Sequence, residues 1–186
     1  MRRLLMLFAL AGIVMSQSIT KNDIALLSKN KDQQLFKEFY EFLSLPNDAN
    51  IPDQLDANIK WCEKSFQRRG FKTQQLKTDR LPLVLAEKKY KNAKSTVLFY
   101  VQVDGQPVDP SRWYQKDPFS PTLKKQNNNG EWNEIPWSSL SENYDEDWRI
   151  FARSASDAKS PINSFLIALD IIKEQKIEPN YNIKVI

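Results

Sequence analysis

The chain has 186 residues, a formal charge of +4, one cysteine and no histidine. Its 27 Lys and Arg are interspersed with 23 Asp and Glu, and no basic run carries interleaved aromatics, so nucleic acid is not an expected partner. A lone cysteine excludes an internal disulfide, and without imidazoles any metal site falls to carboxylates and amides.

Residues 1–16 read as an export signal: Arg2 and Arg3, an apolar run from Leu4 to Met15, then a small-residue cleavage site at Val14-Met15-Ser16. The run is shorter than the roughly 20 apolar residues that span a bilayer, so no stable membrane insertion is expected after cleavage. An uncleaved anchor is the alternative. The expected location is periplasmic or extracellular, with residues 17–186 forming the exported portion.

Lys21 to Asn30 is polar and reads as a loose lead-in. From Asp32, the spacing of Leu35, Phe36, Phe39, Phe42 and Leu43 predicts a helix that Pro46 stops. After a loop over 47–52, Asp53 opens a second helix through Arg69, with Gly70 in the C-terminal capping position. Leu55, Ile59, Cys62 and Phe66 share one face of it, so Cys62 reads as a small buried apolar residue.

Strands are expected over Phe71–Lys77 and Leu83–Glu87, and then over Thr96–Val103, whose apolar run reads as an interior strand covered on both faces. The stretch from Gly105 to Asp147 is weakly periodic, with a hairpin suggested where 121–125 and 131–136 flank Asn127-Asn128-Asn129-Gly130. Trp148–Ala152 is the next strand. Ser160 then reads as a helix cap, with Pro161 in the first turn of a helix whose buried face is Ile162, Phe165, Leu166, Leu169 and Ile172. Asn182–Ile186 is a last strand. The closing strand–helix–strand implies a parallel pair in a layered α/β fold, whose ligands sit beyond the carboxyl ends of strands. Asp104 and Asp157 both stand in such places.

Two segments carry the chemistry: VLFYVQVDGQPVDPSRW over 97–113, followed by DPFSP at 117–121, and RIFARSASDAKSP over 149–161. They resemble, in order and spacing, the two metal motifs of the co-catalytic dizinc exopeptidases. That family includes carnosine dipeptidases, aminoacylases, glutamate carboxypeptidases and succinyl-diaminopimelate desuccinylases. The first motif is similar to its His-x-Asp strand end and the Gln-Pro-Val-Asp-Pro run after it; the second is similar to Gly-Arg-Gly-x-x-Asp-x-Lys-Gly-Pro.

The resemblance covers about Leu35 to Ile186 and implies the N-terminal part of such a catalytic domain, a mixed central sheet flanked by helices. The lid and dimerisation domain and the C-terminal half are not in this sequence. It makes Asp157 the carboxylate bridging two zinc ions, followed by a cis peptide bond to Ala158. It makes Asp104 the acid that orients a ligating histidine during catalysis, and it puts Gln102 in that histidine's place, as a weaker amide-oxygen ligand. Ala152, Ser154 and Ser160 replace the family's glycines. Arg153 and Lys159 match the motif and are read as neutralising nearby carboxylates and capping the site.

The implied activity is metal-dependent hydrolysis of a peptide or N-acyl amino acid, by a dipeptidase, carboxypeptidase or amidohydrolase that dimerises when complete. No turnover is expected of these 186 residues alone. The alternatives are a non-catalytic binding relative and a truncated remnant.

Overall fold

The computed structural model describes residues 20–29, 32–141 and 145–186; the export signal read over residues 1–16 lies outside them. Lys21–Lys29 is a helix, α1, where composition suggests a loose lead-in. Thr20 and Asp23 cap it reciprocally: the Thr20 amide donates to the Asp23 carboxylate at 2.9 Å, and the Asp23 amide donates to the Thr20 hydroxyl at 3.2 Å.

The next two helices follow the apolar spacing, α2 at Asp32–Leu43 and α3 at Pro52–Arg68. Gly70, with φ of 82°, ends α3 in a conformation that favours glycine. The Gly70 amide reaches Gln67 O and the Phe71 amide reaches Phe66 O, while the Phe66 and Phe71 rings meet at 5.4 Å. Both hydrogen bonds and the apolar contact of a Schellman stop are thus present.

The strands are β1 (Lys72–Leu76), β2 (Leu83–Lys88), β3 (Ser95–Phe99), β4 (Thr122–Gln126), β5 (Trp132–Glu134), β6 (Arg149–Phe151) and β7 (Tyr181–Val185), with helix α4 (Ser160–Glu174) before the last. They form two sheets. A mixed sheet runs β1-β2-β7-β3, with β3 parallel to β7; a small antiparallel sheet runs β5-β4-β6 and contains the hairpin suggested by the Asn-Gly turn. The core packs the apolar stripes of α2, α3 and α4 against one face of the mixed sheet, through Phe42, Phe66, Leu166, Ala86, Ile183 and Val185. The opposite face carries the Glu87–Lys184 ion pair at 2.8 Å. Arg69, almost buried, joins all three helices: its guanidinium reaches Glu38 at 3.1 Å, Asp170 at 2.6 Å and the Leu166 carbonyl at 3.1 Å.

Three expectations are corrected. Among the described residues the strand over 96–103 is not interior: β3 ends their sheet, with Leu98 60% exposed and Tyr100 just beyond it 71% exposed. An apolar run predicts what a strand could bury, but whether a neighbour exists is a long-range fact. The parallel partner of β7 is β3, not the strand preceding α4, because β6 pairs with β4. Ser160 does not cap α4 either; it is already helical, and its hydroxyl donates back to Ser156 O at 3.4 Å.

Candidate functional site

The site is assembled around the turn that follows α2. Three distant elements hold the carbonyls of Leu45, Pro46 and Asn47. Lys159 Nζ donates to Leu45 O at 2.5 Å and to Phe42 O at 2.7 Å. Asn58 Nδ2 donates to Pro46 O at 2.7 Å, and the Gly105 amide donates to Asn47 O at 2.7 Å. The Asn47 side chain completes the joint: Nδ2 donates to Val103 O at 2.7 Å, and Oδ1 accepts from the Ser154 hydroxyl at 3.1 Å. Asn47, Asn58 and Lys159 are all fully buried.

Gly105 is required by close approach: a Cβ there would lie 3.0 Å from both amide atoms of Asn47 and from Ser154 Oγ. Arg153 adds two ties, its amide to Pro118 O at 2.7 Å and its guanidinium to Gln106 O at 2.8 Å. The segment carrying Gln102 and Asp104 is therefore stitched to the segment carrying Asp157.

The chemistry-bearing side chains stand outside this joint. Asp104 lies in irregular chain past the end of β3, Gln102 two residues before it, and Asp157 in the turn Ala155–Lys159. All three are exposed, and among the described residues none makes a side-chain hydrogen bond or ion pair. The Asp157–Ala158 peptide bond is cis, as the resemblance implies.

The reading of Lys159 and Arg153 as neutralisers of carboxylates is corrected, because both donate to backbone carbonyls. Lys159 closes the C-terminal end of α2, where unpaired carbonyls and the helix dipole favour a cation. Its ammonium also sits 4.7 Å from the Phe42 ring centroid. Burial pushes its pKa down to about 7. Burial pushes the Cys62 thiol up to about 12, so it is a neutral wall of the core, as its place on α3 suggests.

The donor set does not fit a pair of zinc ions. Zinc takes three or four protein ligands, mostly imidazole or thiolate with some carboxylate. Among the described residues no group of three or more His, Cys, Asp or Glu could hold a metal ion. Asp157, Asp104 and the neutral Gln102 amide are what this chain offers.

Beside the joint lies an open cavity of about 250 Å³. Its floor is the buried α3 stripe Leu55, Ile59, Cys62 and Phe66, with Ile162 and Val185; its rim includes the exposed Leu83, Tyr100, Gln102 and Asp104. Among the described residues that line it, Asp104 has the one charged side chain, and Ile186 lines it as well.

Asn47 and Ser154 are the residues that sequence reasoning misses. Asn47 reads as loop after a helix-stopping proline, and its partners lie 56 and 107 residues away. Ser154 did leave a trace. It replaces a motif glycine and adopts a left-handed φ of 61°, a strained choice for serine that its hydrogen bond to Asn47 offsets.

No protein-family model and no curated protein matches the chain. Solved structures do. The M20 family metallo-carboxypeptidase Sso-CP2 from Sulfolobus solfataricus is 29% identical with a TM-score of 0.61, over 81% of this chain and 29% of that one. Human carnosine dipeptidase 1 is 19% identical with a TM-score of 0.62, over 86% of this chain and 33% of that one. The dipeptidase Dug1p from Saccharomyces cerevisiae is 16% identical with a TM-score of 0.62, over 87% and 33%. The chain thus spans about a third of the length of these structures. The resemblance to the dizinc exopeptidases is borne out, and the fold is that of the N-terminal part of their catalytic domain.

Proposed function

We propose that this chain is the N-terminal scaffold of a metal-dependent hydrolase that cleaves a peptide or N-acyl amide bond near a free carboxylate. We further propose that the chain has no turnover by itself. One observation carries the reading: the two motif segments, remote in sequence, are locked together on Asn47 with Asp104 and Asp157 left facing solvent. Likeness to metallopeptidases in the solved structures supports it. The role of this chain's residues is structural pre-organisation: Asn47, Ser154, Arg153 and Lys159 hold the backbone on which the acids are mounted. Export directed by residues 1–16 belongs to the same proposal.

The test is a dipeptide and N-acyl amino acid hydrolysis assay on the purified chain with added zinc, cobalt or manganese. The expected result is a rate indistinguishable from an Asp157→Ala control. Cleavage well above that control overturns the claim that the chain lacks turnover.

A second reading, a non-catalytic relative that binds a ligand, is favoured by Gln102. A glutamine amide replaces an imidazole ligand with a weaker neutral oxygen, while the fold around it is kept.

A further inference from the structure

Gly105 and Gly130 each follow a residue whose side-chain carbonyl can close on the next backbone nitrogen, Asp104 and Asn129. The closure needs a chain free to turn until that nitrogen meets Cγ, and glycine favours it because no Cβ crowds the approach. The two dipeptides stand in opposite settings.

Asp104–Gly105 is clamped. The Gly105 amide donates to Asn47 O at 2.7 Å, its carbonyl accepts from the Ala49 amide at 2.9 Å, and Asn47 and Ser154 crowd the place of a Cβ at 3.0 Å. Asn129–Gly130 is at the tip of the β4–β5 hairpin, where residues 128–134 are all exposed. A Cβ on Gly130 would meet only Gln126 Nε2, at 3.7 Å. The Asn129 side chain has no partner among the described residues. Asn127, by contrast, is committed: its Oδ1 accepts from the amides of Asn129 at 3.0 Å and Glu131 at 2.9 Å, and its Nδ2 donates to the Glu131 carboxylate at 2.9 Å. The Gly130 nitrogen is restrained by its hydrogen bond to Asn127 O at 3.0 Å, a bond of the kind that opens readily at an exposed loop tip.

We propose that Asn129 is a site of spontaneous covalent modification, converted to aspartate and isoaspartate with water as the co-reactant. The Gly130 nitrogen bonds to Asn129 Cγ and the Cγ–Nδ2 bond breaks; Nδ2 leaves as ammonia, carrying the proton that Gly130 loses. Water then opens the succinimide at either carbonyl, giving aspartate from one and isoaspartate from the other. Either product sets a new carboxylate near Glu131. Isoaspartate also lengthens the backbone by one carbon, which the hairpin has no slack to absorb. Its register, with Gln126 opposite Trp132, is fixed by the Asn127 amide on Glu131 O at 2.9 Å and by Gln126 Nε2 on Gly130 O at 2.8 Å. Loss of that register frees the Trp132 ring from Phe151, 5.3 Å away, and uncovers Lys124, which is 8% exposed and packs on the same Phe151 ring. The modification needs no metal and no turnover, and so stands apart from the hydrolase reading.

The experiment incubates the full chain in mildly alkaline buffer and follows its tryptic peptides by mass spectrometry. Peptide 126–149 should gain the mass of an amide-to-acid conversion, localised to Asn129. Asn129 should react about tenfold faster than Asn127 or Asn128, a barrier difference of about 1.4 kcal/mol. Brief trypsin treatment of the folded chain should cut after Lys124 more quickly as isoaspartate accumulates. Asn129→Gln, an exposed change that keeps an amide, should abolish both effects. Peptide 95–112, which carries Asp104, should stay unisomerised in the folded chain and isomerise once urea releases the clamp.

Three results each overturn the proposal: amide loss no faster at Asn129 than at its two asparagine neighbours, undiminished amide loss from peptide 126–149 in Asn129→Gln, or isomerisation of Asp104 at the same rate with and without urea.

Discussion

The joint around Asn47 and the rim that it carries are built to opposite standards. Asn47 and Lys159 are fully buried and donate to carbonyls across 56 to 117 residues of chain. Asp104, Asp157 and Gln102 are exposed and have no side-chain partner among the described residues. The difference is one of division of labour. Buried polar groups cost free energy unless every one is satisfied, so their partners are specified by the fold. Exposed acids are satisfied by water and remain available to whatever binds.

The largest effect is expected from breaking the joint. Asn47→Ala leaves Val103 O and the Ser154 hydroxyl without their buried partner and opens a small void, for a loss of about 3 kcal/mol in a urea titration at pH 7. A loss below about 1 kcal/mol would mean that the joint is redundant with Arg153 and Gly105.

An intermediate effect comes from pH. Unfolded Lys159 has its ordinary pKa of 10.5 and the folded form about 7, so between these values the unfolded chain binds the extra proton and stability rises with pH. Cys62 acts oppositely: its unfolded thiol ionises near 9.0 and its folded thiol near 12, so above 9.0 it lowers stability. Stability should therefore climb by about 1–2 kcal/mol from neutral pH to the onset of thiol ionisation and then level off. Cys62→Ala should extend the climb, as read from urea midpoints at successive pH values. A flat profile would show that the carbonyls of Phe42 and Leu45 hold the proton on Lys159 against burial.

The smallest effects belong to the rim. Asp104→Asn, Asp157→Asn and Gln102→Ala should each change stability by less than about 0.5 kcal/mol, because no protein partner is lost. A shift near that of Asn47→Ala would erase the contrast between joint and rim.

The sequence reads well wherever the signal is local. The apolar spacing of α2 and α3, the stop at Gly70, the Asn-Gly hairpin and the cis bond after Asp157 can each be read within a dozen residues or from motif resemblance. What it hides is pairing at a distance. The Thr96–Val103 run has the composition of an interior strand and lies at the sheet's end, and β6 leaves the sheet that its βαβ context suggests. Asn47 gives no local sign of bonding both motif segments. Lys159 carries a charge that suggests carboxylate partners, but the nearest unmet need is the open end of α2.

One consequence follows from β3. From Ser95 to Val103 the chain has no charge, proline or glycine, the residues with which proteins ordinarily guard an exposed strand edge. Val97 and Leu98 face solvent there, beside backbone groups with no neighbouring strand among the described residues. Self-association through this edge is therefore expected as these 186 residues are concentrated, and Leu98→Lys is the simplest guard against it.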